Sequence, residues 1–281
     1  REALDKYGFG LSSVRFISGT ETILKTLENK LAKFLGTEDA ILYSTNFMSN
    51  LGFFATLVNE PLGSAEHIDA IYSDELNHAS IIDAFKLCKK ENVAKRIYSH
   101  GDLGALGQML EEDKDKNYRF KIIVTDGVFS MEGYLAQLPK ILELSKKHNT
   151  LVFVDDAHAV GVLGKTGAGT PEHFGLHGQI DILSGTFGKA LGGAVGGYIA
   201  GKKQIIELLR QKSRTYLFSN SIPPSVIVAS IKALDLLKEK PELLKKVKEN
   251  SEYFRSGVKK LGFDVLEGEH PIVPVMLGDA A

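Results

Sequence analysis

The chain has 281 residues, with 34 Lys and Arg against 35 Asp and Glu, so its formal net charge is −1. That balance argues against a protein that coats nucleic acid or an anionic membrane, because both need a basic surplus. Hydrophobic residues make up 43% and charged residues 25%, which excludes a disordered or fibrous chain. A chain of this length buries about three quarters of its unfolded surface and needs no covalent staples. Cys88 is the single cysteine, so no internal disulfide forms and a reducing, cytoplasmic setting is expected. The longest uncharged run, residues 40–59, carries Ser44, Thr45, Asn46, Ser49 and Asn50 and does not read as a membrane span. Without a first Met, and stopping just after an apolar run at Gly278, the sequence reads as part of a longer polypeptide.

Ile23, Leu24, Leu27, Leu31, Phe34 and Leu35 recur at helical spacing, with Gly36 as the stop. A short buried strand is expected over Ala40–Tyr43, a helix over Asn46–Val58, a strand over Ala70–Ser73 and a helix over Ala79–Cys88. Arg96–Tyr98 reads as a strand, Leu103–Glu111 as a helix and Lys114–Tyr118 as a polar loop. Lys121–Thr125 is a strong strand, Leu138–Lys147 a helix with Pro139 in its first turn, and Leu151–Val154 the clearest buried strand. Ile180–Leu183 is another. After Pro223-Pro224 two Lys-rich amphipathic helices are expected, over Val226–Lys238 and Pro241–Leu261. Strands alternate with helices, and the best strands are continuous β-branched runs, which implies an α/β fold with a mostly parallel sheet covered on both faces. A large domain over 1–225 and the beginning of a smaller one over 226–281 are expected.

In such sheets ligands bind beyond the carboxyl ends of the strands. Ser44-Thr45-Asn46-Phe47 follows the first strand, and Asp74 and Asn77-His78 follow the second. Asp126 and Ser130 follow the strand at Lys121–Thr125. Asp155-Asp156-Ala157-His158 follows Leu151–Val154, and Ser184-Gly185-Thr186-Phe187-Gly188-Lys189 follows Ile180–Leu183. Taken alone, Asp155 reads equally as a helix-cap or loop carboxylate and as the counter-charge of a protonated ring nitrogen, while His78 and His158 read as ordinary loop histidines. Lys189 stands out as the one charge between Ile182 and Ala200. A lysine in an apolar pocket becomes a usable amine nucleophile or base. Leu183 and Ala190 break the phosphate-loop pattern, no Gly-x-Gly-x-x-Gly follows a strand, and His173 and His177 lack further metal ligands. Pyridoxal phosphate uses the remaining parts together: a lysine for the Schiff base, a carboxylate for the ring nitrogen and an anion site at a helix start.

Five stretches carry a resemblance: residues 13–20 (Ser-Val-Arg-Phe-Ile-Ser-Gly-Thr), Leu76-Asn77-His78-Ala79-Ser80, residues 125–131, Asp155-Asp156-Ala157-His158 and residues 185–193. The sequence resembles the α-oxoamine synthases, pyridoxal-phosphate enzymes of fold type I. Tyr216-Leu217-Phe218-Ser219-Asn220-Ser221 and residues 270–279 make it most similar to the branch that acts on glycine and acetyl-CoA. The resemblance implies that Lys189 carries the Schiff base and later takes the α-proton, and that Asp155 pairs with the pyridinium nitrogen. It gives His158 the phenolic oxygen and the acyl carbonyl, His78 the ring face, and Ser130 a place near the phenolic oxygen. The phosphate falls to Asn46 and Phe47 backbone N–H groups and the Thr186 hydroxyl, with Ser219 approaching the phosphate of a neighbouring subunit in a homodimer. The implied reaction condenses glycine with acetyl-CoA, or reverses that step in threonine breakdown. Alanine or serine with a long acyl-CoA, a non-catalytic partner subunit and a plain nucleotide-binding module are the competing readings. Residues 59–69 read as a small insertion, and the arginine for the substrate carboxylate is expected beyond residue 281.

Overall fold

The computed structural model describes residues 1–59, 62 and 67–278, so most of the insertion expected over 59–69 lies outside the described residues. The elements run α1 (Glu2–Tyr7), α2 (Arg15–Ser18), α3 (Thr22–Leu35), β1 (Asp39–Tyr43), α4 (Asn46–Leu57), β2 (Asp69–Asp74), α5 (Ala79–Leu87), β3 (Val93–Tyr98), α6 (Leu103–Glu112) and β4 (Lys121–Asp126). They continue with α7 (Leu138–His148), β5 (Leu151–Asp155), α8 (Thr170–His173), β6 (Ile182–Thr186), β7 (Gly197–Gly201), α9 (Lys203–Lys212) and α10 (Arg214–Leu217). Last come α11 (Pro224–Glu239), α12 (Glu242–Lys260), β8 (Asp264–Val265) and β9 (Val275–Met276).

Seven strands form one sheet in the order β1-β7-β6-β5-β4-β2-β3. The β2–β3, β2–β4, β4–β5 and β5–β6 pairs are parallel, while β7 runs antiparallel to both β1 and β6. Successive residues of a strand point to opposite faces, so each central strand feeds two cores. Val152 and Val154 of β5 join Leu42, Tyr72 and Ile123 under α3, α6, α7 and α11. Phe153 points the other way, into Phe53 and Phe54 of α4, with Ile71, Ile122 and Ile182 around them. The two-sided burial explains the continuous apolar strands.

The helix stops follow local chemistry. Gly36 ends α3 in the left-handed region (φ 71°, ψ 25°), which costs glycine nothing. Thr45 caps α4, its hydroxyl accepting from Met48 N at 3.2 Å.

Two differences from the expectation bear on the site. The strand expected at Ile180–Leu183 begins at Ile182 and extends to Thr186. The carboxylate of Asp181 takes the Val152 N–H at 2.9 Å, so a side chain occupies the place where the ladder would begin. The second is β7 (Gly197–Gly201), for which no local pattern in the sequence predicts a strand. Its terminal glycines exist for close approach. A Cβ on Gly197 would lie 2.3 Å from Asn46 N, and one on Gly201 would lie 2.5 Å from Asp181 O. Strand β7 thus lies hard against the start of α4.

Gly197→Ala is expected to destabilise the fold by about 3 kcal/mol, since backbone rather than a flexible side chain must yield. Urea denaturation checks this, as a lower midpoint with an unchanged slope.

Candidate active site

The carboxyl ends of five strands of the sheet, β1, β2, β4, β5 and β6, converge on one cavity of about 190 Å³, lined by Asn46, Phe47, His78, Asp126, Asp155, Ala157, His158, Thr186 and Lys189. Each residue reaches the cavity because it follows a strand of the same sheet, and parallel strands present their carboxyl ends to one rim. Among the residues singled out in the sequence, seven share this space: Asn46, Phe47, His78, Asp155, His158, Thr186 and Lys189. Ser130 and Ser219 do not line it. Ser219 Oγ lies 3.3 Å from Ser44 Oγ, which also donates to Asn220 O at 2.6 Å.

Asp155 is the fixed point of the site. It ends β5, is 4% exposed, and is gripped by three N–H donors. Asn46 Nδ2 reaches its two oxygens at 3.2 and 3.0 Å, Asn50 Nδ2 donates at 2.7 Å and Ala157 N at 3.1 Å. A buried carboxyl needs such partners, because taking it from water unpaired is costly. Asn50 also donates to Ser80 Oγ at 2.8 Å, and Ser80 Oγ lies 2.8 Å from His78 Nδ1. With Ser80 N also donating to Nδ1 at 3.2 Å, this network assigns His78 the tautomer with its proton on Nε2. Asn50 was missed in the sequence, although its spacing of four from Asn46 sets both amides on one face of α4.

Lys189 Nζ lies 2.6 Å from His158 Nε2. The residue itself is exposed, so the enclosed apolar pocket expected for it is replaced by a cavity mouth open to solvent. Partial burial still pulls the Lys189 amine below its ordinary range, against the opposing pull of Asp155 and Asp126. Burial, then the positive Lys189, push the His158 imidazole down to about 4. Neutral His158 accepts from the amine at Nε2 in the tautomer that carries its proton on Nδ1.

Asp126, another cavity wall, pairs in register with Asp155 across β4 and β5. It is 2% exposed and accepts from His78 N at 3.2 Å. Burial first, and Asp155 second, push its carboxyl well above the usual carboxylate range. Two acids in one low-dielectric rim thus have unlike surroundings, one ringed by donors and the other nearly bare. Among the described residues no cluster of His, Cys, Asp and Glu could hold a metal ion, and no helix is long and apolar enough to cross a membrane.

The profile of the family described as Aminotransferase class I and II matches residues 1–281. The chain is 49% identical to a 2-amino-3-ketobutyrate coenzyme A ligase of Escherichia coli K12, over all of this chain and 68% of that protein. It is 46% identical to an 8-amino-7-oxononanoate synthase of Thermoanaerobacter pseudethanolicus, over 99% of this chain and 67% of that protein. Among solved structures, a serine palmitoyltransferase from S. paucimobilis with bound PLP–myriocin superposes with a TM-score of 0.89 at 34% identity, covering 99% of this chain and 69% of that one. The chain belongs to the α-oxoamine synthase family. Its fold is that of the type I pyridoxal-phosphate enzymes, and pyridoxal phosphate is its cofactor.

The residues present fit that group. This α-oxoamine synthase sets an amine, a buried acid and an imidazole around a single cavity. The first turn of α4 opens there as well, and the leading N–H groups of a helix lack partners within it and favour an anion. The glycine at position 197 lets β7 close on the Asn46 backbone and so fixes the start of α4 at the cavity.

The unlike acids make a prediction for stability. A carboxyl whose folded pKa is raised stabilises the fold when protonated, and that contribution fades as pH rises from near the unfolded value of about 4. Asp126→Asn keeps an acceptor for His78 N but cannot ionise. Unfolding free energies measured in urea from pH 4 to pH 7 should fall more steeply for the parent protein than for Asp126→Asn.

Proposed function

We propose that the protein is an acyl-CoA:amino-acid C-acyltransferase that joins glycine and acetyl-CoA into 2-amino-3-oxobutyrate and CoA, or runs that reaction backwards in threonine breakdown. The observation that carries the reading is the Lys189 amine in contact with His158, in the cavity whose wall is Asp155. The identity to 2-amino-3-ketobutyrate coenzyme A ligases supports the choice of substrates.

Bound pyridoxal phosphate supplies a protonated ring that takes up the electron pair left at an amino-acid Cα. Lys189 Nζ would bond the cofactor at rest and, once released by glycine, would take the proton from glycine Cα. Its lowered pKa favours the free amine both steps need. Asp155, held rigid by Asn46, Asn50 and Ala157, would pair with the ring nitrogen and keep its proton there. His78 would lie on the ring face. His158 would hold the phenolic oxygen and assist at the acyl carbonyl, with Ser130 nearby. The first-turn N–H groups at Asn46 and Phe47, with the Thr186 hydroxyl, would hold the phosphate. In the forward direction a carbon–carbon bond forms between glycine Cα and the acetyl carbonyl carbon, the thioester C–S bond breaks, and CoA leaves as its thiol.

Assembly as a cytoplasmic homodimer belongs to the same reading. Phe16 and Phe218 are exposed with their rings 5.5 Å apart, next to Ser219, and Ser219 would turn to the neighbouring subunit's phosphate.

Lys189→Ala should lose at least about a thousandfold in kcat and lose the visible absorption band that shifts when glycine is added. Asp155→Asn should retain the cofactor but lower kcat by about a hundredfold or more. Normal turnover by Lys189→Ala would overturn the reading. The 8-amino-7-oxononanoate synthases at 46% identity support a second reading, with alanine and a longer acyl-CoA as substrates. A panel of glycine, alanine and serine against short and long acyl-CoAs separates the two, with glycine and acetyl-CoA expected to give the highest kcat/KM.

A further inference from the structure

We propose that His270 is a positioning residue for His158, a strut that carries the packing of the C-terminal hairpin into the active-site loop. It rests on the reading of Lys189 and His158 given above. His270 Nε2 lies 2.8 Å from the main-chain oxygen of His158, 112 positions away. Its other ring nitrogen, Nδ1, accepts from Ile272 N at 3.0 Å. An N–H donor on Nδ1 forces the proton onto Nε2, so the ring donates to the His158 carbonyl. Both nitrogens are satisfied only in the neutral form. The ring is 3% exposed, and burial followed by the charge of Arg255 lowers its pKa, while the His158 carbonyl works the other way.

The strut has a braced foot. Arg255 of α12 donates from Nη2 to His270 O at 2.9 Å and to Ile272 O at 3.2 Å, and from Nη1 to Leu266 O. One guanidinium thus closes the turn between β8 and β9. Ile272 packs against Val128, Ala159 and Leu163, the two loops that follow β4 and β5. Gly133 faces Ile272 with no room to spare: a Cβ there would lie 3.1 Å from Ile272 O, at a φ of +71°.

The far end of the strut is the short stretch that matters. Asp155, Ala157 and His158 are nearly consecutive, and Asp155 is pinned by α4 on one side. Before His158, Asp156 N donates to Ser184 O at 2.8 Å, and after it Ala159 N donates to Asp156 O at 3.0 Å. The His158 carbonyl is held by neither, and His270 takes it. A main chain fixed at that carbonyl limits the directions in which the His158 ring can point. The ring contact to Lys189 Nζ at 2.6 Å depends on that direction. A side chain displaced by about 1 Å in a site of this kind can cost about a hundredfold in rate.

Two short amides separate the strut from the hairpin's own needs. In His270→Asn the side chain can still accept from Ile272 N, but it is too short to reach His158 O. In His270→Gln the longer amide can restore a donor to that oxygen. With the purified, cofactor-loaded protein we expect His270→Asn to lose about tenfold or more in kcat, with KM for the amino acid changed less than about threefold. The pH midpoint of the cofactor absorption band should shift in the same variant. His270→Gln should recover most of both losses. The inference is overturned if His270→Asn keeps the parent kcat and midpoint, or if Asn and Gln lose activity only in proportion to thermal stability. A parent protein that forms no band with the cofactor would overturn the reading of Lys189 instead.

Discussion

Three N–H groups aimed at one buried carboxyl organise this protein. Asp155 ends the central strand β5, where both neighbours in the sheet are parallel and both faces are covered. An acid there is tolerable only if something replaces the water it lost. Helix α4 supplies two amides, at Asn46 and Asn50, and the chain turning after β5 supplies Ala157 N. Because both amides sit on α4, the carboxyl also fixes where that helix begins. The acid and the helix N-terminus therefore line one small cavity together, joined by the hydrogen bonds from those amides.

That arrangement depends on a strand without side chains at its ends. Strand β7 runs antiparallel between β1 and β6 and brings Gly197 against the first residue of α4. Any larger residue would push the helix away from the sheet, and with it the donors to Asp155. The same helix reaches further through Asn50 to Ser80 and then to the His78 ring. One helix thus sets the acid, the imidazole and the anion end of the site in a single rigid frame. Lys189 is placed differently. It lies on the loop after β6, contacts His158, and remains open to solvent. The site is rigid on its acid side and accessible on its amine side, which suits an amine that must alternately bond and release.

The elements that were readable in the sequence are those with strong local patterns. The apolar period of α3, the Pro-led start of α7 and the β-branched run of β5 each specify their own conformation. β7 was not readable, because glycines that serve close approach look the same in sequence as glycines in a loop. The start of β6 was misjudged by two residues because Asp181 serves as a side-chain partner for Val152 N, and no local pattern marks that use. In the site, the strand-end rule and the family resemblance together singled out seven of the nine cavity residues. The strand-end rule pointed to Asp126 too but gave it no role, and it passed over Asn50, which does not line the cavity and acts through Asp155.

The amino-acid sequence alone determined the α/β class, the sites where chemistry could sit, and the kind of cofactor those residue types suit, because strand ends and helix caps are local and periodic. Only the tertiary structure decided which of those groups meet. Residues 46, 78, 126, 155, 158, 186 and 189 become neighbours through strand order, and strand order is fixed by long-range packing on both faces of the sheet. It also decided how two adjacent acids differ, since two of the three donors around Asp155 come from α4. The hold of His270 on His158 is of the same kind: two residues far apart in sequence, joined because a hairpin packs where it does.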